Sequence, residues 1–203
     1  MPPYISIGGY SDPPLMTYLS VEVNKGEMVV VAGPPGSGKS NLIKSMAGIR
    51  GFSKGSMKIL GSRPWTLRSR QETVFVFQNW NFLPDLPIRI QLERKVALYR
   101  GVSPRTVRML VDRWCDDVEL AGTIDRYPGQ LNRSDLQMLA LAPVALARPA
   151  VAILDEPMVN LSSIRVSSAL EIILSVLENG AVLALAQGRS PLVNRADRVV
   201  NLA

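Results

Sequence analysis

Histidine is absent from the 203-residue sequence, and cysteine occurs only once, as Cys115. Without histidine the chain cannot form imidazole metal sites or a histidine-based catalytic triad. A single cysteine excludes an intramolecular disulfide and fits a protein of a reducing compartment. Any chemistry of this chain must therefore come from other side chains and from the backbone.

Long apolar runs are also absent. The longest, MLALAPVALA at 138–147, is too short to span a bilayer and contains Pro143. The N-terminal MPPYISIGGYSD lacks a basic start followed by an apolar stretch, so it does not predict a secretory signal. We expect a soluble cytoplasmic protein that reaches a membrane only through a partner.

Charge is unevenly spread along the chain. The net charge is +6, but residues 44–113 hold 14 Lys and Arg against 4 Asp and Glu. Such a basic middle could face phosphates, nucleic acid or anionic lipid headgroups, or it could form solvated helix faces. Aromatic residues are only 6% of the chain, and no base-stacking pattern accompanies the basic residues. We therefore expect no nucleic-acid partner.

Strands that alternate with helices predict an α/β fold with a largely parallel central sheet. Two continuous apolar runs, MVVVAG at 28–33 and VAILD at 151–155, are typical of strands covered on both faces. Residues 87–125 have helical spacing and indicate an inserted helical lobe. Pro143 should kink the helix predicted at 134–147. Further strands are predicted at 17–23, 56–60, 74–78, 181–186 and 198–203, and further helices at about 39–48 and 163–177.

The segment GPPGSGKS, Gly33–Ser40, matches the phosphate-binding pattern G-x-x-x-x-G-K-[ST] between a buried strand and a helix. Small residues let backbone N–H groups curl around phosphate oxygens, and the helix N-terminus adds partial positive charge. Lys39 would reach the β- and γ-phosphates, and the Ser40 hydroxyl would ligate Mg²⁺. The motif predicts nucleoside triphosphate binding, but alone it does not distinguish an ATPase from a GTPase or a small-molecule kinase.

Two adjacent carboxylates, Asp155 and Glu156, end the apolar run VAILDE. In an open α/β sheet, ligands bind at the carboxyl ends of the strands. Asp155 suits the holding of Mg²⁺ through its water shell, and Glu156 suits a general base that polarises the attacking water. Taken alone, the pair fits a surface turn before a proline equally well. The phosphate loop upstream favours the functional interpretation.

These motifs, in this order along almost the whole chain, resemble the nucleotide-binding subunit of ATP-binding cassette (ABC) transporters. Gly33–Ser40 resembles the Walker A loop, and residues 151–156 resemble Walker B with its catalytic glutamate. Gln78 resembles the Q-loop glutamine, which touches Mg²⁺ or its waters. Tyr10 stands where this family places an aromatic that stacks on adenine. NWNFLPDLPIRI, residues 79–90, is similar to the stretch that contacts the transmembrane partner.

The resemblance implies one P-loop NTPase domain over residues 1–203, with an N-terminal antiparallel β subdomain and a helical subdomain at about 87–147. It also implies ATP and Mg²⁺ as ligands. The implied nucleotide-binding residues are Tyr10, Gly33, Pro34, Pro35, Gly36, Ser37, Gly38, Lys39, Ser40 and Asn41. The implied magnesium-binding residues are Ser40, Gln78 and Asp155, and the implied catalytic residues are Gln78, Glu156 and Gln187. Ordinary packing is the alternative for Tyr10, and for Trp80, Phe82 and Leu83.

The chain departs from the family where one subunit touches the nucleotide of the other. The signature turn leucine-serine-glycine-glycine-glutamine is replaced by LNRSD at 131–135, which lacks both glycines and adds the negative charge of Asp135. Ser134 and Asp135 are expected to cap the helix. The aspartate of the D-loop is Ser162, and the switch histidine is Gln187, which can donate hydrogen bonds but carries no charge.

These departures predict a heterodimer with a second ABC ATPase subunit that has an intact signature, because a homodimer would place a faulty signature over both nucleotides. The resemblance further implies transmembrane transporter subunits as partners and a peripheral place on the inner face of the membrane. The leading hypothesis is an ATPase, with activity that is weak or depends on the partner. The alternatives are a non-hydrolysing regulatory subunit and an unrelated P-loop kinase.

Overall fold

Two β-sheets organise the part of the chain that the computed structural model describes, residues 2–15, 18–80 and 82–202. A three-stranded antiparallel sheet has the order β2-β1-β4, and a five-stranded parallel sheet has the order β5-β6-β7-β3-β8. The strands of the first sheet are β1 Ile5–Ser11, β2 Leu19–Val23 and β4 Lys54–Ile59. Those of the second are β3 Met28–Ala32, β5 Thr73–Val76, β6 Val151–Asp155, β7 Ala181–Ala186 and β8 Arg198–Asn201. The expected α/β class, with a separate N-terminal antiparallel sheet, is confirmed.

The helices of the described chain lie mostly between β5 and β6. They are α1 Lys39–Met46, α2 Leu67–Glu72, α3 Ile88–Arg100, α4 Pro104–Asp117, α5 Arg133–Ala140, α6 Ala142–Ala147 and α7 Ser163–Ser175. The helix expected at 134–147 is broken at Leu141, and Pro143 lies in the first turn of α6, where a missing N–H is tolerated. None of these helices is long and apolar enough to cross a membrane.

Both faces of the parallel sheet are covered. Every residue of β3, β6 and β7 is buried, as their continuous apolar sequences predict. Successive side chains of β3 alternate between two hydrophobic clusters. Val30 packs with the helices that follow β5, and Val29 packs with the antiparallel sheet and α1. The sheet is therefore the shared wall of two cores.

Some elements differ from the sequence prediction. Strand β1 and helix α2 were not expected, and β5 ends at Val76, so Gln78 lies in the loop beyond it. Gly55 explains part of the irregular β1–β4 pairing, because its φ is +104° and a Cβ there would lie 2.7 Å from Tyr10 backbone atoms. Three positions used in the predictions, Thr17, Asn81 and Ala203, lie outside the described residues.

Candidate functional site

The carboxyl end of β3 leads directly into the loop 33–38 and then into α1. Gly36 and Gly38 have φ of +82° and +93°, a region that favours glycine. A Cβ on Gly38 would also lie 3.1 Å from the Leu15 Cβ. Glycine at this position therefore permits both the turn and the close approach of residue 15.

Lys39 is folded back into the loop. Only 6% of the surface of Lys39 is exposed. Its Nζ donates to the carbonyl oxygens of Gly33 at 2.7 Å and Pro34 at 2.9 Å. A longer bond of 3.4 Å reaches the Ser37 Oγ, and the Glu156 Oε1 lies 3.9 Å away. A buried ammonium held by carbonyl oxygens can exchange them for phosphate oxygens without losing its hydrogen bonds.

Asp155 ends β6 and is almost fully buried, with 2% of its surface exposed. Burial raises the pKa of Asp155, while the Ser40 hydroxyl and the charges of Lys39 and Lys44 oppose that shift. Its Oδ1 has no hydrogen-bond partner among the described residues. A buried carboxylate oxygen without a donor is costly, and a cation would compensate it. Asp155 and Ser40 therefore fit Mg²⁺.

Mg²⁺ at this place would have few protein ligands. In the described part of the chain, no group of three or more Asp, Glu or Cys side chains is arranged to hold a metal ion. Mg²⁺ is commonly held by one or two carboxylates, and substrate phosphate oxygens, water and neutral side-chain oxygens complete its octahedron. Ser40, Asp155 and Gln78 line one cavity and match that pattern.

Glu156 adopts a left-handed backbone conformation, with φ of +49°. Such a conformation costs a non-glycine residue about 1–3 kcal/mol and is often found at functional sites. The Glu156 N–H donates to the Leu185 carbonyl at 2.8 Å, and its Oε2 accepts the Gln187 N–H at 3.3 Å. Burial raises the pKa of Glu156; the Gln187 N–H and Lys39 oppose the shift, and Asp155 adds to it.

One cavity of about 230 Å³ brings the expected site residues together. Gly33, Pro34 and Ser37 lie beside it and bond to Lys39. The cavity is lined by Pro14, Pro35, Gly36, Gly38, Lys39, Ser40, Asn41, Gln78, Asp155, Glu156 and Gln187. Five separate segments of the chain thus converge at the carboxyl ends of parallel strands, where an open α/β sheet binds its ligand.

Tyr10 does not reach this cavity. It is 0% exposed, lies in the core beside the antiparallel sheet, and packs edge-on against Phe52 with ring centroids 5.8 Å apart. Stacking on a base would require the ring to leave this core. Tyr10 therefore does not line the cavity, and its surroundings are those of the packing alternative. The spacing of Tyr10 from Lys39 predicts a base-stacking residue, and no local sequence pattern indicates that Tyr10 is buried.

Pro14 is the cavity residue that sequence reasoning missed. It carries no chemical group that would single it out, and the phosphate-loop pattern does not include it. Asn41, expected as a nucleotide ligand, lines the cavity and also donates from its Nδ2 to the Pro13 carbonyl at 2.9 Å. The amide of Asn41 therefore links α1 to the segment that carries Pro14.

Residues 16–159 match the family model described as "ABC transporter". The chain belongs to the ABC transporter family. Among curated relatives, it is 30% identical over 168 residues to the sn-glycerol-3-phosphate import ATP-binding protein UgpC of Ruegeria sp. (strain TM1040), covering 82% of this chain and 48% of that protein. It is 26% identical over 194 residues to the glutamate transport ATP-binding protein GluA of Corynebacterium glutamicum, covering 93% and 80%.

Solved ABC structures share the fold. An ATP-binding subunit of an ABC transporter superposes with a TM-score of 0.86 at 19% identity, over 98% of this chain and 85% of the other. A dimeric ATP-binding cassette in a post-hydrolysis state, bound to ADP and Pi, gives 0.84 at 21% identity, over 98% and 94%. The chain spans about half the length of the first curated relatives it matches.

The turn 131–135, which the sequence analysis compares with the ABC signature, forms the start of α5. The cap is Asn132, whose Oδ1 accepts the Asp135 N–H at 2.9 Å, and not Ser134 or Asp135 as expected. The Ser134 Oγ instead accepts the Ser162 N–H at 3.0 Å, and the Asp135 Oδ1 accepts Arg165 Nη2 at 2.8 Å. The side chains of Asn132, Ser134 and Asp135 thus form hydrogen bonds to other groups of the same chain.

The aromatic segment after Gln78 lies against the helices. Trp80 donates from Nε1 to the Gln137 Oε1 at 2.7 Å, and the Phe82 ring lies 4.5 Å from the Lys95 Nζ. Burial lowers the pKa of Lys95 to about 8. Leu83 remains 57% exposed. A groove of about 500 Å³ is lined by Asn79, Trp80, Phe82, Pro128, Gly129 and Leu136.

Proposed function

We propose that this chain is the ATP-binding subunit of an ABC transporter and that it binds and hydrolyses Mg-ATP to drive membrane-embedded partner subunits. The observation that carries the proposal is the single cavity lined by Lys39, Ser40, Gln78, Asp155 and Glu156. Membership of the ABC family and the names of the curated relatives support it. The proposed domain comprises residues 1–203, with the helical subdomain at about 87–147.

The phosphate loop and the polar residues Lys39, Ser40, Gln78 and Asp155 each have a proposed part in nucleotide binding. The N–H groups of the loop 33–38 and the N-terminus of α1 would hold phosphate oxygens. Lys39 would exchange its bonds to the Gly33 and Pro34 carbonyls for bonds to the β- and γ-phosphates. Ser40, Asp155 and Gln78 would hold Mg²⁺. The ion, when bound, neutralises charge that develops on the phosphates.

Glu156 is the proposed general base. Its carboxylate would accept the proton of a water that attacks the γ-phosphorus, so that ATP and water yield ADP and phosphate. Burial raises the pKa of Glu156 and so makes it a better proton acceptor than an exposed glutamate. Gln187 would orient Glu156 through its backbone N–H and would donate a hydrogen bond to phosphate from its side chain.

A heterodimer with a second cassette remains our proposal. The cavity of about 560 Å³ beside the start of α5 is lined by three carboxylates, those of Asp117, Glu119 and Asp135, and by Arg165. Since Asp135 already pairs with Arg165, this surface offers a partner's nucleotide more negative than positive charge. A partner with an intact signature would then complete the nucleotide site of this chain.

The proposed transmembrane partners would dock on the groove beside Trp80 and Phe82. Aromatic side chains and the exposed Leu83 are typical of contact surfaces between proteins. This contact would place the chain on the cytoplasmic face of a membrane. No observation on the described residues favours a P-loop kinase.

Two substitutions test the ATPase proposal in the purified complex. Glu156→Gln should lower the ATP hydrolysis rate at least about a hundredfold, a typical general-base contribution, and should leave ATP binding intact. Lys39→Ala should abolish nucleotide binding. The matched control is Glu171→Gln, the same change at an exposed residue of α7, which should alter neither property. An unchanged hydrolysis rate in Glu156→Gln would favour a nucleotide-gated regulatory subunit instead.

A further inference from the structure

Residues 12–15, here called the proline segment, cross the phosphate loop at the rim of the cavity. Asp12 is buried. Its Oδ2 pairs with the Arg50 Nη2 at 2.9 Å, and its Oδ1 accepts a hydrogen bond from the Ser53 hydroxyl at 3.1 Å. At the other end, Leu15 is buried and its N–H donates to the Asp12 carbonyl at 2.9 Å. Both ends of the proline segment are thus fixed to the body of the protein.

The middle of the proline segment is held by Asn41. The Asn41 Nδ2 donates to the Pro13 carbonyl at 2.9 Å, across 28 residues of sequence. Because proline has no N–H and limited φ freedom, the segment has few other ways to be fixed here. Pro14 is exposed and lines the same cavity as Lys39 and Ser40.

We propose that Pro14 forms the wall against which the nucleoside part of the nucleotide packs, and that Asn41 is the positioning residue that holds this wall in place. The inference rests on the proposed function, since it assumes a nucleotide in the cavity. The proposal assigns the contact with the nucleoside to the proline segment, because Tyr10 is buried and does not line the cavity. Asn41 then acts on the nucleoside through Pro13 and not on the phosphates or the metal.

The proposal predicts a separation of the two halves of the ligand. A variant that loosens the proline segment should weaken binding of the nucleoside and leave triphosphate binding unchanged. A suitable pair of probes is Mg-ATP and the magnesium complex of methyl triphosphate, which carries the same phosphate charge without a nucleoside. The measured quantity is the dissociation constant of the methyl triphosphate complex divided by that of Mg-ATP, both determined by calorimetry on the full chain, and a loosened proline segment should lower this ratio.

The first variant is Asn41→Leu, because a leucine side chain is nearly the same size as that of asparagine and lacks the amide donor. Loss of one hydrogen bond should weaken ATP binding about threefold to tenfold, with methyl triphosphate affinity unchanged. Asn41→Gln retains an amide and should restore most of the ATP affinity. Pro14→Gly, which removes the ring itself, should lower the same ratio as Asn41→Leu, and Tyr10→Phe should leave it unchanged.

Three results would overturn the proposal. Equal weakening of both probes in Asn41→Leu would show that Asn41 contacts phosphate or metal. An unchanged ratio in Pro14→Gly would show that the nucleoside packs elsewhere. A lower ratio in a folded Tyr10→Leu variant would return the base contact to Tyr10. If neither probe binds the unaltered chain, or if Lys39→Ala leaves both affinities intact, the proposed function itself fails, and this result is distinguishable from the other three.

Discussion

Asp155 is the residue at which binding and stability conflict most directly. Its carboxyl group is almost fully buried, and its Oδ1 has no donor within the described chain. Burial disfavours the charged form, so the folded protein holds this proton more tightly than the unfolded chain does. A residue that costs stability in the ligand-free state and fits Mg²⁺ in the bound state is what a binding site requires.

Asp155→Asn should therefore stabilise the ligand-free protein, by an amount that depends on pH. Below the pKa of unfolded aspartate both states are protonated, and the two proteins should unfold alike. As pH rises through the raised pKa of folded Asp155, the unaltered protein loses stability relative to the variant, by about 1–3 kcal/mol at neutral pH. Urea unfolding between pH 4 and pH 8 measures the difference.

The control for this series is Asp116→Asn, the same change at an exposed residue of α4. It should change the free energy of unfolding only slightly, as is usual for an exposed site. A difference for Asp155→Asn that shrinks as pH rises would contradict the argument, because it would mean that the folded protein stabilises the charged carboxylate. Added Mg-ATP should stabilise the unaltered protein and have little effect on Asp155→Asn.

At the scale of elements, Arg165 joins the start of α7 to two other helices. Its Nη2 donates to the Asp135 Oδ1 of α5 at 2.8 Å, and its Nη1 donates to the Val118 carbonyl, just beyond α4, at 2.9 Å. The ion pair is largely shielded from water. It therefore differs from a surface salt bridge, which contributes little, and it fixes the position of the turn 131–135.

Arg165→Met should destabilise the protein by about 1–3 kcal/mol, because the Asp135 carboxylate would lose its cation in a poorly solvated place. Urea unfolding of the ligand-free chain measures the cost. The comparison is Arg133→Met. Arg133 is an exposed residue of the turn 131–135 and makes no hydrogen bond or ion pair with the described residues. This substitution should change stability by less than about 0.5 kcal/mol. Equal effects of the two substitutions would show that the Arg165 contacts contribute nothing specific.

At the scale of the whole molecule, the nucleotide cavity and the α5 surface differ in the groups that they offer to a phosphate. The cavity directs Lys39, loop N–H groups and the N-terminus of α1 toward phosphate, whereas the α5 surface presents carboxylates. Two copies of this chain, each placing its α5 turn over the nucleotide of the other, would bring Asp135 toward phosphate in both sites. From the proposed heterodimer we therefore expect charge repulsion to disfavour a symmetric ATP-bound pair.

The chain on its own should stay monomeric in saturating Mg-ATP, even with Glu156→Gln to prevent hydrolysis. Adding Arg133→Gly, Ser134→Gly and Asp135→Gln, which restore the family's residues at these three positions, should produce an ATP-dependent dimer. Sedimentation velocity with and without Mg-ATP measures the outcome. A dimer of the Glu156→Gln chain with its natural turn would refute the heterodimer proposal.

The phosphate loop and the carboxylate pair could be identified from the sequence because their chemistry depends on neighbouring residues. The pattern of Gly33–Ser40 is recognised from its own residues together with a strand before it and a helix after it. The apolar residues that begin 151–156 predict a buried strand. The parallel sheet followed from the alternation of such strands with helices. Local backbone chemistry and hydrophobic pattern therefore determined the fold class and the phosphate half of the candidate site.

Tertiary packing decided the rest. Tyr10 has the spacing of a base-stacking residue, but its apolar surroundings in the antiparallel sheet bury it completely. The partners of Asn41 and Arg165 lie 28 and 30 residues away in sequence, and no local pattern specifies such pairs. Burial and long-range hydrogen bonds depend on how separate elements meet in space. For this reason the hydrogen bond from Asn41 to the proline segment and the hydrogen-bonded α5 turn were visible only in the structure.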